Sequence, residues 1–182
     1  MNPKTPREGS KIDTVEAIKT HDLVYLLEVK LIQSDKDWFI NKQMANFSIQ
    51  YHDPHKKLDF ANITEAIKTR IPTMSFEDLT NLKTNLATGP LGLIKEFADE
   101  KNAQFARTYQ QYKGKGLSNA KIKVAKIIKL QSDIEELFAL IEKKSAELST
   151  STKIAENTQK GAISTLEEPT PVYKNPHQLD LF

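Results

Sequence analysis

Ile127, Ile134, Ile141 and Leu148 recur every seven residues, and Leu130, Leu137 and Phe138 fill the positions between them. A repeat of that length draws a narrow apolar stripe along one side of an α-helix. The stripe predicts a single long helix over 119–148, capped by Ser118, and such a helix must lay its seam on something. Just ahead of it, Gly114-Lys115-Gly116 closes another helical pattern that Pro90 opens from its first turn, with Leu91, Ile94, Phe97, Ala98, Phe105, Tyr109 and Tyr112 as the inward face. A short glycine link favours antiparallel neighbours, so the expectation is a long C-terminal helical hairpin, with an intermolecular coiled coil as the alternative.

The segments before the hairpin are also mainly helical. Thr14–Gln33 is apolar on more than one side, as a buried helix is, although Leu27-Glu28-Val29-Lys30-Leu31 also alternates like a strand. In the following segment Ile40, Met44, Phe47 and Tyr51 fall at helical spacing, while 47–51 would also pass as a short edge strand. Phe60, Ile63, Ala66, Ile67 and Ile71 form a stripe that ends before Pro72. Ser75 followed by Glu77 and Asp78 starts a further helix, with Phe76, Leu79, Leu82 and Leu86 as its apolar face and Gly89 as its stop. The fold class is therefore all-α: a small helical bundle between disordered N- and C-terminal tails.

Composition divides the chain the same way. Residues 1–11 carry two prolines, a glycine and four charges, and read as a disordered arm; 12–148 read as the helical domain. From Ser149 the apolar residues become sparse, so 149–176 read as a flexible linker ahead of a terminal peptide, 177–182. A length of 182 residues leaves no room for a large multi-domain enzyme. The absence of cysteine removes disulfide frameworks, thiolate zinc sites and thiol nucleophiles. No window approaches the ~20 apolar residues of a membrane span, and the N-terminus lacks a secretory core, so a cytoplasmic protein is expected.

Net charge is only +2, too small to make the whole molecule a polyanion binder, but its distribution is uneven. Lys101, Arg107, Lys113, Lys115, Lys121, Lys123, Lys126 and Lys129 lie between Lys101 and Ser132 without one Asp or Glu. Tyr109, Tyr112 and two glycines lie among them, so phenols and backbone N–H groups can join the lysines on phosphates. With no evident base-reading set, this predicts salt-dependent, weakly sequence-selective DNA binding. The alternative is a solvated helix face. The Gly114–Ser118 turn lacks Walker spacing and a preceding strand, and the seam running through 127–148 argues against a helix-turn-helix.

The terminal segment is His177-Gln178-Leu179-Asp180-Leu181-Phe182, apolar again after a polar stretch. Gln178-Leu179-Asp180-Leu181-Phe182 resembles the pentapeptide by which many bacterial proteins bind the DNA polymerase sliding clamp, whose pattern is Gln, Leu, Ser or Asp, Leu, Phe. All five positions agree, in five residues of 182. The resemblance implies Gln178 as polar anchor at a pocket rim, Leu179 fixing the extended segment, Leu181 and Phe182 in an apolar cleft, and Asp180 facing outward.

His52-Asp53-Pro54-His55 holds the metal-ligand residue types but reads as a polar turn, and neither a metal nor a cofactor is expected. No catalytic order of residues stands out, so a non-enzymatic role is expected. Together these readings point to a DNA-associated accessory factor recruited to replicating DNA through the sliding clamp, as in a plasmid, phage or transposable element. The alternatives are a helical adaptor that binds another protein through the hairpin, and a small DNA-binding regulator.

Overall fold

Every regular element among the described residues, 15–43 and 57–163 of a computed structural model, is helical. A 3-10 turn at Val15–Ala17 leads into α1 (Thr20–Ser34) and α2 (Lys36–Asn41). Then come α3 (Phe60–Arg70), a second 3-10 turn at Ile71–Thr73, α4 (Phe76–Ala87) and the single-turn α5 (Gly89–Gly92). The hairpin is α6 (Ile94–Gln111) and α7 (Ser118–Ile163). The chain is thus an all-α bundle with seven α-helices and no strand among the described residues. It divides into two compact units, Met1–Ser145 and Ala146–Phe182.

In the first unit α1 is the central element. Leu23, Val24, Leu26, Leu27, Val29, Leu31 and Ile32 are all buried, and a helix turning 100° per residue spreads those positions around its whole circumference. Accordingly α1 touches α2, α3, α4 and α5. The alternating reading of 27–31 gives way to the helix because the run continues a longer buried pattern, with Leu23, Val24 and Leu26 before it and Ile32 after it, that does not keep a two-residue period.

The helix start expected at Ser75 holds locally. Ser75 accepts from the Asp78 N–H at 3.1 Å while the Asp78 carboxylate accepts from the Ser75 N–H, a reciprocal capping box. Asp59 and Asn62 make the same exchange ahead of α3. Helix α3 stops at Arg70, before Pro72, and its guanidinium turns back to the carbonyls of Val15 and Ile18 at 2.9 and 2.7 Å, tying the N-terminal turn to the bundle. Gly92 has a further local duty: a Cβ there would lie 2.5 Å from the Ala87 carbonyl oxygen, so the α4–α5 corner closes only around a residue without a side chain.

Apolar packing and polar pairs together hold the hairpin to the bundle. Trp38 and Phe39 of α2 pack on Phe97 of α6 with ring centroids 4.8 and 5.0 Å apart, and the Trp38 indole N–H donates to Glu100 at 2.6 Å. On α7 the seam lies inward as the heptads require, with Ile127, Leu130, Ile134, Leu137 and Ile141 buried. Phe138 and Leu148 are half-buried. Asp133 interrupts that seam and is itself buried, beside the Thr64 hydroxyl and between the ammonium groups of Lys129 and Lys68. Lys68 also binds Glu136 at 2.5 Å, and Lys83 of α4 binds Glu142 at 3.1 Å. The seam is thus covered within the chain, as the hairpin expectation has it.

Several boundaries differ from the sequence reading. The helix opened by Pro90 is broken at Leu93, where the backbone leaves helical geometry between α5 and α6. Ser118 is the first residue of α7 and not its cap, since the Lys121 N–H already bonds the Leu117 carbonyl. Phe76 is 54% exposed because, as the first residue of α4, it precedes the buried stripe of Leu79, Leu82 and Leu86.

In the second unit α7 continues past Leu148 to Ile163, through residues 149–163 that composition assigned to the linker. Thr150, Ser151 and Thr152 donate their hydroxyls to the carbonyls of Ala146, Glu147 and Leu148 at 2.9 to 3.0 Å. These bonds run within the helix and leave the backbone ladder in place, so a polar composition does not end it. The expected arm 1–11, the possible edge strand 47–51, the His52–His55 cluster, the remaining linker 164–176 and the peptide 177–182 lie outside the described residues.

Glu28 marks a cost of the central position of α1. Burial pushes its carboxyl from 4.5 up to about 7, and Oε1 lies 3.1 Å from where a Cβ on Gly89 would stand. An acid harder to ionise when folded costs stability only where the unfolded chain ionises it. The cost is absent below about pH 4.5 and complete above about pH 7. Glu28→Gln is therefore expected to stabilise the protein by about 1 kcal/mol near pH 8, allowing for residual solvent access, and to leave it unchanged near pH 4. Urea unfolding of both proteins across that range measures the difference.

Candidate nucleic-acid interface

The tip of the hairpin is a closed turn with unusual backbone. The Gly114 N–H reaches back to the Tyr109 carbonyl at 3.0 Å and the Lys113 N–H to the Gln110 carbonyl at 3.3 Å, the paired bonds that end a helix in a left-handed cap. Lys113, Gly114 and Gly116 accordingly have φ of +50°, +75° and +71°. The cap position most often taken by glycine is held here by Lys113, so the turn retains a charge at the expense of backbone strain.

The structure sorts the eight expected basic residues into two groups. Lys101, at one end of the acid-free stretch, is half-buried and ion-paired with Asp35, the N-cap of α2. Partial burial raises the Asp35 carboxyl, but Lys101, the Trp38 N–H and the charge of Lys123 together hold it below its usual range. At the other end Lys129 pairs with Asp133, one turn further along α7. These two lysines also serve the fold: an acid distant in sequence faces Lys101, and one just past the stretch faces Lys129, which stays 66% exposed.

Between them, Arg107, Lys113, Lys115, Lys121, Lys123 and Lys126 are exposed. Arg107 donates Nε to the Ala103 carbonyl at 3.3 Å and stays along α6. Lys121, Lys123 and Lys126 lie within the first nine residues of α7, about 12 Å of rise from the tip. Around the helix they are not on one side: Lys123 and Lys126, three residues apart, are neighbours, with Lys123 acting on Asp35 through its charge, while Lys121 falls on another face. The positive surface wraps the tip and does not form a single stripe.

Two tyrosines complete the tip. Tyr109 and Tyr112 are 50% and 55% exposed, although hydrophobic spacing placed them on the inward face. The reason is geometric: the buried part of α6 ends with Phe97 and Ala98, Phe105 is half-buried, and the last turn runs past the elements that would cover it. The Tyr109 ring lies 5.8 Å from that of Phe105, and so close to Gly114 that a Cβ there would meet it at 2.9 Å. Ile122, on the first turns of α7, is 54% exposed. The phenols among glycines and lysines were the available signal for this surface, and helical periodicity alone obscured it.

Behind the tip α6 and α7 share a cleft of about 360 Å³. Phe97, Lys101, Phe105 and Thr108 line it from one helix, and Ala120, Val124 and Ile127 from the other, three or four residues apart on each, as facing helices require. Asp35 lines the cleft too and engages Lys101, while Lys123 lines it from α7 and joins it to the outer basic surface. Among the described residues no three His, Asp or Glu come together as metal ligands, and no helix is long and apolar enough to cross a membrane.

If Lys113 is strained only through its backbone, then Lys113→Gly is expected to stabilise the fold by about 1 kcal/mol while removing one positive charge from the tip. Thermal unfolding of the two proteins checks the sign.

Compared with known proteins, the chain matches no protein-family model, no curated protein and no solved structure.

Proposed function

We propose that this protein is a non-catalytic DNA-associated accessory factor, which grips DNA phosphates with the tip of its hairpin and binds the bacterial sliding clamp through Gln178–Phe182. The observation that carries the DNA half is the set of six exposed basic residues around one turn, Arg107, Lys113, Lys115, Lys121, Lys123 and Lys126, in a chain whose net charge is only +2. Such a cluster displaces counterions when it meets phosphates, which gives affinity without sequence choice. The strained cap at Lys113 supports the same reading, because it keeps a charge where the backbone favours glycine.

The clamp half rests on the five-position resemblance of Gln178, Leu179, Asp180, Leu181 and Phe182. A peptide in a groove derives most of its affinity from a few buried side chains, and Leu181 and Phe182 are the ones able to supply it. A factor with both parts works in the cytoplasm, holds DNA weakly by itself and concentrates where the clamp is loaded. A plasmid, phage or transposable element that borrows its host's replication machinery is the setting that suits it.

The DNA half is tested by reversing Lys115, Lys121 and Lys126 to Glu, which is expected to abolish DNA binding at low salt while leaving helicity unchanged. In the parent, log affinity should fall with log salt at about 0.7–0.9 per phosphate contacted. Lys101→Ala, by contrast, should lower stability and leave that slope nearly unchanged, since its charge already faces Asp35. A parent protein that binds no DNA at low salt ends this half of the proposal.

For the clamp, a synthetic peptide spanning Tyr173–Phe182 is expected to bind a bacterial sliding clamp and to compete with the full chain. Replacing Leu181 and Phe182 by Ala should weaken it at least about tenfold, while Asp180→Ser is tolerated. Calorimetry with the purified clamp reads both; equal affinities for the parent and Ala peptides would leave the resemblance fortuitous and favour the adaptor reading.

A further inference from the structure

We infer that the hairpin tip takes single-stranded DNA in preference to duplex, with Tyr109 and Tyr112 as a stacking platform for unpaired bases. The inference rests on the DNA reading of the tip and adds the form of DNA it accepts. Tyr109 and Tyr112 are the largest apolar side chains left uncovered at the tip, 50% and 55% exposed; Tyr109 lies in the last turn of α6 and Tyr112 is its C-cap three residues on, its N–H still bonded to the Thr108 carbonyl. Side chains at that spacing have Cβ atoms about 5–6 Å apart, so neighbouring unstacked bases can each meet one ring.

Charge complementarity chooses the occupant. Arg107, Lys113 and Lys115 flank the two rings in sequence, and the stretch that contains them has no acid, so a polyanion with exposed aromatic faces fits better than an acidic or apolar protein surface. Duplex DNA offers phosphates but hides its base faces within the stack, and the phenyl faces would gain nothing from it. A single strand offers both. Every base has a π-face, so stacking on the two rings is sequence-tolerant, and the amides of Gln110 and Gln111 between them are left to add polar contacts.

The Tyr109 ring is also held in place before any ligand arrives. It lies against Phe105, at 5.8 Å, and close to the backbone of Gly114, where a Cβ would come within 2.9 Å, while half of its surface stays exposed. Gly114 is therefore constrained twice, by its φ of +75° and by the ring that lies against it. A ring fixed in this way loses little rotamer freedom on binding, so more of the stacking interaction remains as affinity.

The test uses the full chain, with a fluorescent oligothymidine and a mixed-sequence duplex of equal length, followed by anisotropy at low salt. Single-strand affinity is expected to exceed duplex affinity by about tenfold or more. Tyr109→Leu and Tyr112→Leu should each lower single-strand affinity by about fivefold or more, with duplex affinity and the salt slope unchanged. Tyr109→Phe and Tyr112→Phe keep the rings and should bind as the parent does, which separates stacking from loss of the fold or of a phenolic hydrogen bond. Equal affinity for the two forms of DNA, or Leu variants that bind the single strand like the parent, would overturn the stacking inference and leave the DNA reading intact. Failure of the parent to bind either form would overturn both.

Discussion

The burial of α1 on every side is the constraint from which the architecture follows. A helix with Leu23, Val24, Leu26, Leu27, Val29, Leu31 and Ile32 all withdrawn from water needs neighbours around its whole circumference, and short helices supply them better than one long partner. Each buried Leu or Ile contributes about 1.5–3 kcal/mol relative to exposure, far more than the surface ion pairs between the helices. The sharp corners between α3, α4 and α5 are local devices that let the chain wrap this centre, which is why Arg70, Ser75 and Gly92 are spent on turns. The hairpin is then held to the assembled bundle by aromatic packing at Trp38, Phe39 and Phe97 and by the inward seam of α7.

That attachment also decides which charges are left for a partner. Asp35 and Asp133 border the acid-free stretch in space and each engages the lysine nearest to it, so the bundle absorbs the two ends of the basic run. Asp133 needs this pairing for its own sake, because a buried carboxylate without a counter-charge would be strongly destabilising. Of the tip cations, Lys123 still acts on Asp35 through its charge.

Much of this was legible in the residues. The heptads from Ile127 announced α7, the stripe of Ile63, Ile67 and Ile71 stopped where Pro72 required, and Ser75 with Asp78 marked a helix start that the hydrogen bonds bear out. What could not be read depends on contacts remote in sequence or on where cover runs out. Nothing near Lys101 announces Asp35, and a 3.6-residue period says that Tyr109 and Tyr112 share a face with Phe105 without saying that the bundle stops short of them. The end of α7 was misplaced for another reason: Ser and Thr are poor guides when their hydroxyls bond within the helix, as at 150–152.

The difference between Gly92 and Lys113 has a consequence for how this fold would vary among descendants. At 92 the Ala87 carbonyl leaves space for no side chain, so drift there is closed and glycine becomes a marker of shape. At 113 the backbone would accept glycine or asparagine more readily than lysine, and nothing in the packing holds the lysine in place. Lineages that keep the corner but let position 113 relax would retain the architecture and shed the charge, whereas a basic residue persisting there against the pull of the backbone would record selection on what the tip touches.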